Sequence, residues 1–472
     1  MNDAARRWRT LALVLCGMLL GACAAGPDFV APAPPTQRRY TPSPVALPSA
    51  GVADPRQRIG AGATPADWWR RFGSPALDAA VDQALAHSPA VAQAQATLRQ
   101  AAALLRAAQG ARQPRLDLAA SLGRSGGAGL AAAPAYSVDP LLGFDTDAFG
   151  GLRRQVEQQA ALTAVQRAQL DAARLSLAGN VVARALDLAG ARAQLDAVQR
   201  LLRVDADNVA LVEFALQAGS AVPADLVAAQ AQLASDRALL PPLRQQRALA
   251  RDALALLLGR SAAAQDLPDF DLGHLRLPRA LPLRVPSDLV RQRPDIVAAQ
   301  ARLHAASAAI GVATAALYPQ LSLSAAWSAQ ASAPELLFAQ SAAWQLAAAA
   351  AAPLWHGGSL RAGRDAAREA YAAEFAAYRQ TVLGAFVQVA DVLQALDHDA
   401  QRLAALRRAL DLAEASLRLQ RQAYAGGAVG VLQVLVAQRA YQQALLGYLA
   451  ARVQRYQDTA QWFVVMGGVA PD

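Results

Sequence analysis

The 472-residue chain contains no lysine; all 45 of its basic residues are arginine. That absence removes a Walker A lysine, a Schiff-base lysine and a kinase-type β3 lysine. Cysteine occurs only at Cys16 and Cys23, so the body has neither a disulfide framework nor a thiolate metal site. The five histidines (His87, His274, His304, His356 and His398) are scattered, with no HExxH and no paired spacing. Gly123-Arg124-Ser125-Gly126-Gly127 fits the letters of a nucleophile elbow, but it falls at a strand end that enters a hairpin. The elbow needs strand, turn and helix. No enzyme and no cofactor are therefore expected. Aromatic residues make up 6% and charged residues 17%, where soluble domains carry about 25% charged. The net charge is +9, but the arginine excess is spread thinly, without a basic block or a stacking platform, which argues against nucleic acid.

What the chain has instead is alanine, roughly a quarter of all residues, against an ordinary usage far below that. Alanine favours helix and lets helices approach closely, but it buries little area. The total apolar share is 54%.

The first residues read as a secretory signal: Arg6, Arg7 and Arg9, then an apolar stretch over residues 11–20, then small residues. Beyond it no run of 18 or more strongly apolar residues is found, so no further transmembrane helix is expected. The signal ends in Leu20-Gly21-Ala22-Cys23, which resembles the bacterial lipobox. The resemblance implies cleavage before Cys23 and lipidation of its thiol; Ala24, rather than Asp, implies sorting to the outer membrane. Residues 31–67 are rich in Pro, Ala and Gly and read as an extended lead.

The body is one pattern written twice. At an offset of 205, Leu98 matches Leu303 and Pro114 matches Pro319. At an offset of 208, Gly150 matches Gly358, Gly219 matches Gly427, Gln230 matches Gln438, and Gly259 matches Gly467. The resulting plan has a signal at 1–22, an anchored lead at 23–73, a first repeat at 74–259, an equatorial linker at 260–292, a second repeat at 293–467 and a tail at 468–472.

Each repeat begins with a helix (88–112 in the first) and continues with alternating strands. Leu116, Leu118 and Leu122 alternate with Asp117, Ala119 and Ser121; Leu321, Leu323 and Trp327 alternate with Ser322, Ser324 and Ser328. Period two predicts one greasy and one polar face. Loops are expected over 125–135 and 331–342, and second strands near 141–149 and 343–355. A very long helix follows, 152–217 or 360–425, about 100 Å at 1.5 Å per residue. Its heptad positions are Val181, Leu188, Leu195, Leu202, Val209 and Leu216, and in the copy Val389, Leu396, Leu403, Leu410, Leu417 and Tyr424. A strict seven-residue seam predicts left-handed packing on neighbours. Glycine turns then reverse the chain into return helices over 223–258 and 431–466. The pair Pro241-Pro242 interrupts the first.

Four strands of about ten residues suit a tilted bilayer crossing, but the smallest membrane barrels have about eight strands. An open edge in lipid leaves backbone groups unsatisfied. Several chains must therefore pool their strands; three would give twelve.

At this point the chain resembles the TolC-like outer membrane efflux proteins, in their NodT/OprM-like lipoprotein branch. The residues that carry the resemblance are Gly26-Pro27-Asp28-Phe29, Trp68-Trp69-Arg70-Arg71-Phe72 with Ser74-Pro75-Ala76-Leu77, Arg293-Pro294-Asp295-Ile296, Tyr318-Pro319-Gln320-Leu321-Ser322-Leu323 and Ala437-Gln438-Arg439. It implies a mainly α fold with a small shared β-barrel, a homotrimer with twelve strands, a periplasmic helical tunnel and passive conduction of small molecules. The implied partners are a periplasmic adaptor, an inner-membrane pump of the resistance-nodulation-division type and outer-membrane lipid. It also implies that the hairpin tips (Gly219, Ser220, Gly426 and Gly427) meet the adaptor, and that Asp225 and Tyr424 hold a periplasmic gate. The sequence departs from the family at Val429, where some members have arginine, and at Val436, where many have aspartate. The alternatives are a duct for type I protein secretion or for metal-ion efflux, and a coiled-coil lipoprotein without a pore.

Overall fold

The computed structural model describes residues 25–37, 39–43, 57–127, 130–339 and 342–467. The signal, Cys23 and the tail lie outside them. The chain forms two compact units. The first takes in the described residues of Met1–Ala33, Ala96–Ala168 and Val297–Thr381; the second takes in those of Pro34–Gln95, Gln169–Ile296 and Val382–Asp472.

In chain order the strands are β1 (Arg58–Ala61), β2 (Arg115–Gly127), β3 (Leu130–Asp145), β4 (Ala280–Leu283), β5 (Gln320–Ala331) and β6 (Ala343–Ala351). The helices are α1 (Pro75–His87), α2 (Pro89–Gly110), α3 (Gly151–Gln217), α4 (Pro223–Arg237), α5 (Leu240–Leu257), α6 (Pro286–Gln292), α7 (Pro294–Ala315), α8 (Ser359–Ala425) and α9 (Val431–Val465).

In the first unit β2, β3, β5 and β6 form one antiparallel sheet in that order. The hairpin differs from the loop expected at 125–135. Gly123 pairs with Ala135, Arg124 with Pro134 and Gly127 with Leu130, so most of that stretch is ladder. Its Gly/Ala/Pro-rich composition has no period-two signal to read. The second hairpin keeps a real loop, with a 3-10 turn at Pro334–Leu336, and β6 stops at Ala351, short of 355. Among the described residues one helix, α7, is long and apolar enough to cross a membrane, which the sequence reading did not expect. Half of its apolar window is buried inside the protein, and Leu303 at its middle is fully covered.

The lead docks on the first unit. The Ala25 N–H donates to the Phe149 carbonyl at 3.0 Å. The buried Arg154 side chain donates to Ala25 O (3.2 Å), Asp28 Oδ1 (2.6 Å) and Glu157 Oε2 (2.7 Å). His304 Nε2 lies 2.8 Å from Glu157 Oε1, and its ring stacks on Phe29 at 4.4 Å. Glycine is required at both Gly26 and Gly311, because a Cβ on Gly26, held at φ +88°, would sit 2.5 Å from the Gly311 Cα.

In the second unit most of the heptad seam is buried, with Leu202, Val209, Leu216 and Tyr424 partly covered. Val181, Leu188 and Leu195 on α3, and Val389, Leu396, Leu403, Leu410 and Leu417 on α8, are each at most 7% exposed. Glycines let helices meet closely: a Cβ on Gly190 would lie 2.6 Å from Val453. The first return helix is two helices, α4 and α5, with a break at Ala238–Leu239. Pro241 and Pro242 therefore stand in the first turn of α5, where the missing N–H has no intrahelical partner to lose. The 260–292 stretch holds β4, which pairs in parallel with β1, and α6. Trp68 and Phe72 are fully buried; Trp68 stacks on Phe463, and Trp462 Nε1 donates to Pro282 O at 3.0 Å. Arg293 is buried too and donates to the Ala385 and Val465 carbonyls and to Asp295. These resemblance motifs are thus structural clamps.

Candidate functional site

The register of the sheet sorts its two faces. Leu116 stands opposite Leu142, Leu118 opposite Pro140 and Leu122 opposite Tyr136. Val138 stands opposite Ala329 and Phe144 opposite Leu323. Trp327 stands opposite Trp344 and Ala325 opposite Leu346. These residues share one face, and every one is apolar or aromatic. Leu116, Leu118, Leu122, Trp344 and Leu346 are each at least 70% exposed. The other face carries Arg115, Asp117, Ser121, Ser137, Asp139, Ser322, Ser324 and Ser328. Ser121 and Ser137 are 2.9 Å apart, Ser137 donates to Asp139 at 2.7 Å, and Ser328 also donates to Asp139. Leu337 covers the face near Ala329 and Ala331, and the rest is open; a largely exposed apolar face backed by a hydrogen-bonded polar face is the arrangement of a sheet with lipid on one side and water on the other.

The outer edges of β2 and β6 have no partner within the described chain. With an even number of alternating strands, the β6 edge of one copy meets the β2 edge of another in the same antiparallel sense. Closure by further copies satisfies the backbone that lipid would leave bare.

At the hairpin tips, Gly219 (φ +73°) and Gly427 (φ +72°) take left-handed conformations. The Ser220 N–H donates to Ala215 O at 2.8 Å, and the Ala428 N–H to Ala423 O at 2.9 Å, so each long helix ends in a Schellman-type cap. Ser220 Oγ also donates to Ala215 O. Gly426 donates its N–H to Gln422 O. The tips pack together around Val212, Ala229, Val431 and Leu435, with Leu226 and Tyr424 against them.

The two gate candidates are not joined directly. Asp225 Oδ2 accepts the Val222 N–H at 3.3 Å, a local cap of α4. Tyr424 packs in two apolar clusters, one of them with Leu417, Val434, Ala437 and Tyr441. Among the described residues no hydrogen bond links Asp225 to Tyr424. Val436 is 62% exposed. Arg421 donates to Gln438 Oε1 at 3.3 Å.

The sequence reading missed two carboxylate pairs in the helical seam. Asp205 (α3) and Asp236 (α4) are 2% and 3% exposed. Burial pushes Asp205 up to about 7, and the neighbouring Asp236 adds to the rise. Asp399 (α8) is pushed up to about 7 by burial and then by Asp458 (α9). The signal was present: Asp205 lies four residues after Leu201 and seven before Val212, both on the buried stripe. Gln438, marked only as part of a resemblance motif, donates to Asp205 Oδ1.

A wetted β face, a lipid-compatible β face and long heptad helices with capped tips define a channel-forming outer-membrane protein of TolC-like architecture. The family model described as outer membrane efflux protein matches residues 80–260 and 285–468. The chain is 31% identical over 480 residues to the pyoverdine export outer membrane protein OpmQ of Pseudomonas aeruginosa, covering 98% of this chain and 97% of that one. It is 30% identical to the cation efflux system protein CusC of Escherichia coli, covering 92% and 94%. Its fold matches the solved outer-membrane channel OprN with a TM-score of 0.83 at 28% identity, over 94% of this chain and 99% of that one. The chain belongs to the outer membrane efflux protein family. It is an outer-membrane exit duct of a tripartite efflux system, with a periplasmic helical tunnel and a small β portion.

Proposed function

We propose that three copies pool their four-stranded sheets into a twelve-stranded pore that passively conducts small organic molecules delivered by a periplasmic adaptor and an inner-membrane pump. The observation that supports this reading is the sheet itself: four antiparallel strands, one largely apolar face with its leucines and Trp344 exposed, and two open edges of matching sense. Pyoverdine export by a relative over nearly its whole length supports a small-molecule cargo. A cation efflux relative of nearly equal identity keeps metal ions as the second reading. The pump on this reading is of the resistance-nodulation-division type, and Gly219, Ser220, Gly426 and Gly427 meet the adaptor. Cys23, lipidated, anchors the lead in the outer membrane, two residues before the point where Ala25 docks.

Asp225 and Tyr424 hold the periplasmic aperture on this reading, across copies rather than within one. The test is planar-bilayer conductance of the purified protein. Wild type runs as a heat-labile trimer and conducts in small steps, and Asp225→Ala raises the closed-state conductance. A monomer without conductance overturns the duct. An unchanged closed state in Asp225→Ala overturns the gate.

A further inference from the structure

The second unit contains a buried polar knot that the conducting role does not explain. Asp205 and Asp236 come from two helices of one hairpin, and both are nearly inaccessible. α9 supplies donors to each: Gln438 to Asp205 Oδ1, and Gln442 Nε2 to Asp236 Oδ1 at 2.5 Å. Gln232 of α4 donates to Asp236 Oδ2 at 3.0 Å and to Gln442 Oε1 at 3.4 Å. The Gln438 Oε1 accepts from Asn208 of α3 at 2.9 Å and from Arg421 of α8. Among the described residues Asp205 Oδ2 has no donor. Its neighbour is the other carboxylate, so a proton between the two is the group that completes the knot.

The charges around the pair are few. α8 brings Arg421, which draws Asp205 towards its ionised form, with Arg418 and Glu414 on the same groove wall. α9 brings Tyr441 to that groove, and Arg200 of α3 lies further along it. Among the described residues Arg421 is the guanidinium that bears on Asp205, and one such charge offsets one buried negative charge rather than two.

The element that carries Asp236 is short and lightly anchored. α4 has only 15 residues. It is bounded by the glycine turn at Gly219 on one side and the Ala238–Leu239 break on the other. Its apolar anchorage is Ala229 and Leu233, with Leu226 partly covered. The matching α9 runs unbroken for 35 residues. Asp236 is the second-last residue of α4, beside the hinge.

We propose that a proton held on Asp205 bridges to Asp236 and forms a pH-operated latch, which holds α4 against α3 beneath the α9 glutamines while the proton is bound and releases it when the proton leaves. The latch rests on the reading of the tips as the aperture of the duct. An acid whose native pKa is raised stabilises the fold fully below the unfolded value near 3.8, and that contribution is lost as pH rises through about 7. The latched form therefore prevails in an acidic periplasm, and the released form prevails above neutrality.

The experiment compares full-length wild type with Asp205→Asn, Asp236→Asn and Asp399→Asn, each confirmed as a folded trimer. Hydrogen exchange of the α4 amides, corrected for intrinsic rate, is measured at pH 6 and pH 8, and conductance is recorded in parallel. The wild-type α4 is expected to lose protection about tenfold between the two, the change in ionised fraction across a group titrating near 7. Open-state occupancy is expected to rise with it. Asp205→Asn and Asp236→Asn are expected to flatten both responses, and Asp399→Asn is expected to retain them. The latch is overturned if the two variants keep the wild-type pH response, if Asp399→Asn alone removes it, or if wild type shows none. Loss of conductance with the exchange response intact would sink the duct reading and leave the latch standing.

Discussion

Arg154 reaches four partners from a nearly covered position: Glu157 on its own helix, and Ala25, Gly26 and Asp28, which lie 126 to 129 residues away and were invisible in the sequence. Glu157 is a quarter exposed and Asp28 is mostly exposed, so solvent screens part of the pairing. Arg154→Met is expected to cost about 2 kcal/mol, with the lost docking of the lead as its main consequence. Proteolysis between residues 25 and 37, set against the denaturation midpoint, measures both. Gly311→Val is a sharper probe. Its first added carbon would meet Arg154 at 2.6 Å and the Ala25 carbonyl at 3.0 Å. Overpacking of this kind costs about 1–3 kcal/mol, and the same proteolysis assay reads it. The buried acids set the pH dependence at this scale. Asp205 and Asp399 are both raised by burial, so stability to urea is expected to fall from pH 5 to pH 8. An unchanged midpoint would contradict their placement.

At the scale of the element, the long helices were legible almost to the residue. The expected starts at 152 and 360 lie one residue after the observed ones, and both ends agree. Sixty-odd residues of seven-residue repeat, closed by a glycine, leave little freedom of interpretation. The β2–β3 hairpin was not legible at its tip, because Gly, Ala and Pro pair through the backbone and show no alternation. The α4–α5 break was half legible. The prolines announced it, but a proline run does not say whether it kinks a helix or starts a new one. Since Pro241 and Pro242 occupy a first turn, Pro241→Ala is expected to change stability by less than about 1 kcal/mol, against about 3 for an interior proline. Gly190→Ala goes the other way. Helix propensity favours alanine by about 1 kcal/mol, but the new methyl meets Val453 at 2.6 Å, so a net loss in thermal midpoint is expected.

For the whole molecule the sheet decides how many chains are needed and which face meets what. Leu118 lies on the apolar face and Ser121 on the polar one. Leu118→Arg is expected to cost about 2–4 kcal/mol near the bilayer middle and to abolish the heat-labile trimer. Ser121→Arg is expected to leave the trimer intact and shift conductance towards anions. Gel mobility and reversal potential check the pair; equal effects of the two would mean the faces are wrongly assigned.

The sequence by itself determined the duplication, the helix lengths, the heptad seam and the two-faced strands, because each is a local periodicity and periodicity is written in the chain. It also marked Cys23, the glycine tips and the candidate gate pair Asp225 and Tyr424, through resemblance. Only the tertiary structure decided which charges are buried. Asp205 and Asp399 look in the sequence like any solvated acid on a polar helix. Their character comes from partners on other helices, 31 residues along the chain in one case and 59 in the other. The alanine-rich composition finds its reason in the same place. Small residues let the helices meet closely, as at Gly190 against Val453, and in the same helical unit Asp205 and Asp236 are shut away from water.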